Sequence, residues 1–212
     1  MLCAAAAATA QDNSKWIGLF NGQTLEGWTQ RGGNAKYEVV DGTIVGTAVP
    51  NTPNSFLCTE KDYADFELTL EFWVDDGLNS GIQIRSASRE DYQNGRVHGY
   101  QVEIDPSDRS WSAGIYDEGR AGWLFGLAEN EAARAAFKHN QWNQLRIVAR
   151  GKRIQTWLND VAAADFGKAS VRSGFVALQV HGIGDSQQHL QVRWRSIKLL
   201  ELPEQPEGEA LP

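Results

Sequence analysis

Hydrophobic residues along this chain recur mostly at every second position, the spacing of strands that bury one face. In FELTLEFWV, Phe66, Leu68, Leu70, Phe72 and Val74 alternate with Glu67, Thr69, Glu71 and Trp73. GIQIRS sets Ile82 and Ile84 against Gln83 and Arg85, and GYQVEID sets Tyr100, Val102 and Ile104 against Gln101, Glu103 and Asp105. YEVVDGTIVG predicts a hairpin with Asp41-Gly42 at its tip, a dipeptide that tolerates the positive φ of a tight turn. WNQLRIVARGKRIQTWLND predicts two strands around Gly151-Lys152, with a second turn at Asn159-Asp160. GFVALQVHG and HLQVRWRSIKLLEL complete the set. In the last, Val192 and Trp194 keep one phase while Ile197 and Leu199 take the other, which predicts a bulge near Ser196. Only NEAARAAFK, Asn130 to Lys138, reads as a helix: it is Ala-rich, lacks β-branched residues and offers Asn130 as a cap.

Many short strands with regular turn signals predict an all-β sandwich, here one domain over residues 15–202. The start, MLCAAAAATAQDN, is Ala-rich and ends in a small-x-small pattern at Ala8-Thr9-Ala10. Residues 1–14 therefore read as the remainder of a secretory leader, without its positively charged beginning, and a periplasmic or secreted location is expected. The apolar run is too short to span a membrane. The Pro- and Glu-rich tail, residues 203–212, has too little apolar content to order itself and is expected to be disordered.

With 212 residues, 42% of them hydrophobic, the chain can bury one substantial core. A net charge of −7 and the lack of a Lys/Arg stripe argue against nucleic acid as a partner. Cys58 is the one cysteine outside the leader-like segment, so that part of the chain can form no internal disulfide. Eight tryptophans supply core bulk and rings suited to stacking on sugar faces. Trp28, Trp142 and Trp157, on entry or hairpin motifs, are expected inside, and Trp123 is the first choice for a sugar platform.

The opening WIGLFNGQTLEGW resembles the entry motif of the bacterial 3-keto-disaccharide hydrolase family. LEFWV followed by NSGIQIR, HGYQVEID, AGIYDE, a hairpin ending in WLND, and GFVALQVHGI agree with that family in order, over nearly the whole folded region. One departure is Asp160, where the family more often has Gly; Asn-Asp still suits the turn. The resemblance implies a concanavalin A-like jelly-roll β-sandwich, here with one short helix. It also implies an enzyme acting on glycosides whose sugar carries a ketone at C3, with a small oxidised glycoside or disaccharide as substrate.

The residues themselves point to a polar trough. The apolar phases fill the space between two sheets, so the polar phases are expected to share the outer face of one sheet. That set is Glu71, Gln83, Arg85, Gln101, Glu103 and Asp105, with Tyr116, Gln179 and His181 from later strands. Asn79 stands at the entrance of one strand, and Gly81 beside it would let backbone approach a ligand. A C3 ketone acidifies the C2 hydrogen, so cleavage calls for a base, a group on the developing oxyanion and an acid for the leaving oxygen. Glu103 or His181 is expected as base, Arg85 at the oxyanion, and Tyr116 or Asp105 as acid or positioning group. Glu71, Asn79, Gln83, Gln101, Trp123 and Gln179 are expected to bind substrate.

No cofactor is firmly implied. A divalent metal would serve an enolate, and His98, Glu103 and His181 are the residues that could meet around one. Two other readings use the same groove: a carbohydrate-binding, lectin-like module, and a classical glycosidase. The latter rests on Glu103-Ile104-Asp105 and Asp108, a weak match to the Glu-x-Asp-x-x-Glu signature of jelly-roll glucanases.

Overall fold

The computed structural model describes residues 15–185 and 189–203; the expected leader, and the tail beyond residue 203, lie outside them. Strands follow one another along the chain: β1 (Ile17–Gly18), β2 (Trp28–Gly32), β3 (Lys36–Val40), β4 (Thr43–Thr47) and β5 (Ser55–Tyr63). Next come β6 (Phe66–Val74), β7 (Ser80–Ala87), β8 (His98–Ile104), β9 (Ile115–Glu118) and β10 (Gly122–Phe125). After the helix α1 (Glu131–Ala135) come β11 (Asn143–Arg150), β12 (Arg153–Leu158), β13 (Val161–Phe166), β14 (Gly174–Val180) and β15 (Gln191–Glu201).

They form two antiparallel sheets packed as a sandwich. One runs β13-β12-β11-β6-β15-β4-β3, with β1 also paired to β15; the other has seven strands in the order β10-β9-β8-β7-β14-β5-β2. The alternation explains the packing. Phe66, Leu68, Leu70 and Phe72 of the first sheet meet Ile82, Ile84, Val102, Ile104 and Leu178 of the second in one buried cluster. Each such side chain, fully buried, stabilises the fold by roughly 1.5–3 kcal/mol against exposure.

Turn chemistry closes the hairpins. Asp41 and Gly42 have φ of 47° and 73°, and Asn159 and Asp160 have φ of 48° and 66°, so both two-residue loops take the left-handed pair that a tight hairpin needs. The expected bulge is present: register shifts between Arg195 and Lys198, and Ser196 takes φ 54°. The helix is shorter than its sequence pattern, spanning Glu131–Ala135, with the Asn130 side chain capping Ala133 N. Trp28 is buried, its Nε1 donating to Leu19 O. Trp142 and Trp157 differ from expectation: they are half-buried, under the guanidinium groups of Arg195 and Arg146. Trp157 lies in the outward phase of β12, between buried Thr156 and Leu158, so strand alternation keeps it out of the core.

Candidate active site

A groove of about 460 Å³ opens on the face of the seven-stranded sheet that points away from the core. Its centre is Glu103 on β8, whose neighbours Val102 and Ile104 face the core. Glu103 Oε1 accepts from Asn79 Nδ2 at 2.6 Å, and Oε2 accepts from Gln101 Nε2 at 2.8 Å. Burial pushes its carboxyl up to about 7; the two amides and Arg109 pull the other way, and neighbouring Asp105 adds to the rise.

A chain of donors runs toward this carboxylate. Ser86 Oγ donates to Gln83 Oε1 at 2.7 Å, Gln83 Nε2 to Gln101 Oε1 at 2.6 Å, and Gln101 to Glu103. An ionised carboxylate only accepts, so it fixes the direction of every bond behind it. Gln83 is fully buried and lies beneath the groove as a link in this chain. Gly81 serves the same chain: a Cβ there would stand 2.5 Å from the Gln101 side chain, which occupies the space expected for a ligand.

Asp105 is two residues beyond Glu103, just past the end of β8, and does not line the groove. Its oxygens accept from Ser107 Oγ at 2.6 Å, Arg109 Nε at 2.7 Å and Trp111 N at 3.1 Å. Burial alone would raise its carboxyl, but these bonds hold it below its ordinary value, so it stays an anion. Of the two roles expected for Asp105, these contacts favour positioning, since it holds Arg109. That guanidinium lies 4.8 Å from the Trp123 ring centroid and 5.3 Å from that of Trp111, with Nη2 3.7 Å from Glu103 Oε1. Trp123 also meets Tyr116 edge-on at 5.3 Å, and both rings line the groove. Trp123 therefore carries a cation where the sequence suggested a bare sugar platform.

Gln179 on β14 and His181 just beyond it line the opposite side. His181 is exposed, with Nδ1 2.7 Å from Gly182 O. A carbonyl only accepts, so Nδ1 is the donor in this bond.

Two expected members stand elsewhere. Arg85 takes φ 46° at a register shift between Ile84 and Ala87, which turns its side chain off the groove face. It is fully buried and donates to Ala64 O, Gly151 O and Asp65 Oδ1 at 2.6, 2.7 and 2.8 Å, joining the ends of the two sheets. Glu71 belongs to β6 in the other sheet, where it pairs with Arg195 at 3.0 Å on the opposite outer face. A sandwich has two outer faces, and alternation does not say which one a polar phase reaches.

A family model described as a 3-keto-alpha-glucoside-1,2-lyase-like domain matches residues 15–200. The chain belongs to this family. No curated protein matches the chain. Among solved structures, a candidate glycosyl hydrolase of Parabacteroides distasonis ATCC 8503 shares 18% identity at a TM-score of 0.62, covering 92% of this chain and 99% of that one. The carbohydrate-binding module CBM66 of Bacillus subtilis shares 16% identity at a TM-score of 0.56, covering 82% and 96%. A Bacillus subtilis protein of galectin-like fold has 8% identity and a TM-score of 0.60, covering 85% and 92%. At these identities the likeness is one of fold.

In this member of the 3-keto-glucoside lyase-like family, four groove residues escaped the sequence reading: Asn54, Arg96, Arg109 and Glu118. Three stand in loops, where no alternation marks a face. Arg109 alone left a trace, four residues after Asp105 in DPSDR. Glu118 shares the phase of Tyr116 on β9 and was legible there. The metal set does not assemble: His98 packs 4.0 Å from the Tyr92 ring and lies outside the groove lining. Among the described residues no three His, Cys, Asp or Glu side chains gather as a metal site. No helix among them is long and apolar enough to cross a membrane.

Proposed function

We propose that this groove cleaves 3-keto-glycosides by proton abstraction at C2, elimination of the C1 substituent and hydration. Glu103 is the base. A carboxyl poised near 7 is ionised enough at neutral pH to accept a proton and basic enough to drive its transfer. The C2–H electron pair forms an enolate with the C3 oxygen, and Arg109, held by Asp105 and two indoles, faces that developing charge. The enolate re-forms the ketone as the C1–C2 double bond closes and the C1–O bond breaks. Tyr116 is the acid or positioning group for the departing oxygen. Water then adds its oxygen to C1 and a proton returns to C2, so the net change is hydrolysis.

The observation that carries this reading is the Glu103–Arg109 pair in the groove: a raised carboxyl beside a cation that is held from behind. Family membership supports the choice of a keto-sugar over its unoxidised parent. The test is turnover of a 3-keto-glucoside and of its parent by the purified protein, with Glu103→Gln and His181→Ala alongside. Aglycone release from the keto-sugar alone, abolished in Glu103→Gln, is the expected result. Release from the parent sugar would mean ordinary glycosidase chemistry instead. A binding module is the second reading, favoured by the shared fold with CBM66; sugar binding without turnover of either compound would establish it.

A further inference from the structure

One register row crosses four strands of the groove sheet. Glu103 on β8 pairs with Gly81 on β7, Gly81 with Gln179 on β14, and Gln179 with Phe56 on β5. Strands lie about 4.8 Å apart, so this row spans about 14 Å from Glu103 to Phe56. Phe56 forms part of a second cavity, of about 580 Å³, which shares Asn54, Arg96 and Glu118 with the groove. The loop carrying Asn94 and Val97 also lines that cavity, as does Pro53. Arg96 Nη2 and Glu118 Oε1 pair at 3.2 Å along the shared wall, so the two charges there cancel.

Gln179 lines the groove, pairs in register with Phe56 of the second cavity and is fully buried, yet neither its Oε1 nor its Nε2 has a hydrogen-bond partner among the described residues. Burial strips such an amide of water, and leaving it unpaired forfeits the hydrogen bonds that water would have made. An orphan donor and acceptor in the floor of a groove mark a place completed from outside.

The order of groups across the sheet matches the order of atoms in a keto-glycoside. Arg109 lies on the β10 side of Glu103, against Trp123, and Gln179 lies on the β14 side. With C2–H over Glu103 and the C3 oxygen toward Arg109, C1 and its substituent point toward Gln179 and beyond it. We propose that the second cavity is the leaving-group site, that it takes a neutral ring bearing hydroxyls, and that the Gln179 amide binds at the junction, donating to the glycosidic oxygen and accepting from a hydroxyl of the leaving ring. This rests on the keto-glycoside reading above. Neutrality follows from the balanced charges of the lining, and a ring from the size of the cavity. A sugar and a polyhydroxylated aromatic ring share that chemistry.

The test compares leaving groups on one keto-sugar: a keto-disaccharide, a dihydroxyphenyl 3-keto-glucoside and 3-keto-glucosyl fluoride, whose leaving atom is too small to reach the second cavity. Pro53→Trp, which adds bulk beside that cavity alone, and Gln179→Leu are read as the ratio of kcat/KM for each ring substrate to that of the fluoride. The ratio does not depend on how much of a variant is folded. We expect it to fall about tenfold or more in both variants, the ordinary scale for losing a ring contact or a buried hydrogen bond. The ring substrate whose ratio falls further in Pro53→Trp is the one the cavity holds. Ratios unchanged in both variants, with the wild type active on all three compounds, would overturn the leaving-group site and leave the keto-glycoside reading standing. A wild type that turns over none of the three, the fluoride included, would sink the keto-glycoside reading itself.

Discussion

Asn79 donates its amide to Glu103 Oε1 at 2.6 Å from the residue just before β7, one strand across from the carboxylate it holds. With Gln101 on the other oxygen, it fixes the plane of a carboxylate that burial would otherwise leave protonated over most of the neutral range. Asn79→Ala removes a bond to the charged form, so the Glu103 carboxyl rises further. The alkaline-going limb of the kcat/KM profile, which follows deprotonation of the base, is expected to move to higher pH, with a lower rate at pH 7. A pH series on the keto-sugar measures it; a profile that stays in place would remove Glu103 as base.

Glu103 also links stability to pH. Its folded-state pKa of about 7 lies above the ordinary glutamate value, so the folded form favours the proton. The sign follows: this contribution is fully present below about pH 4.5 and is lost as pH rises through 7, up to about 3 kcal/mol by this group alone. Glu103→Gln keeps a neutral side chain at all pH. It is expected to be inactive yet more heat-stable than wild type at pH 8, with the difference shrinking toward pH 5. Melting curves at the two pH values decide this.

Arg85 and Asp65 form an ion pair that is buried on both sides, and burial lowers the Arg85 guanidinium to about 10 against the pull of Asp65. Arg85→Leu strips the carboxylate of this partner and leaves the Ala64 and Gly151 carbonyls without a donor. The expected cost is about 3–5 kcal/mol, seen as a lower denaturation midpoint. The protein that remains folded should keep its activity. Loss of turnover at unchanged stability would instead return Arg85 to the chemistry.

Arg109→Ala removes the cation that the proposed reaction sets against the enolate. Turnover is expected to drop by about 10²-fold or more in kcat, with a smaller change in KM, because the charge it meets develops only during reaction. A raised KM with kcat unchanged would make Arg109 a substrate anchor only.

Cys58 is buried on the groove sheet in an apolar cluster with Phe56, Val97, Phe175 and Ala177, and burial pushes its thiol up to about 12. Native protein at pH 8 is expected to resist a thiol reagent and to react with it on unfolding. Rapid native labelling would show that the loop covering the cluster opens.

The strands, their hairpins and the bulge at Ser196 were legible because alternation and turn residues are local: a period of two and a positive φ are written in neighbouring residues. The polar ribs were legible for the same reason, and GYQVEID sits in the groove sheet with Gln101 and Glu103 on its outer face. What the sequence could not assign was the sheet. Glu71 and Glu103 have the same alternation, but β6 and β8 belong to different layers, and only pairing between distant strands decides that. Nor could it see that one left-handed residue turns Arg85 inward to Asp65, or that Arg109 comes back from a loop to take the place expected for it. Local propensity determined which residues share a strand face. Long-range pairing, and the burial it imposes, decided which charges meet.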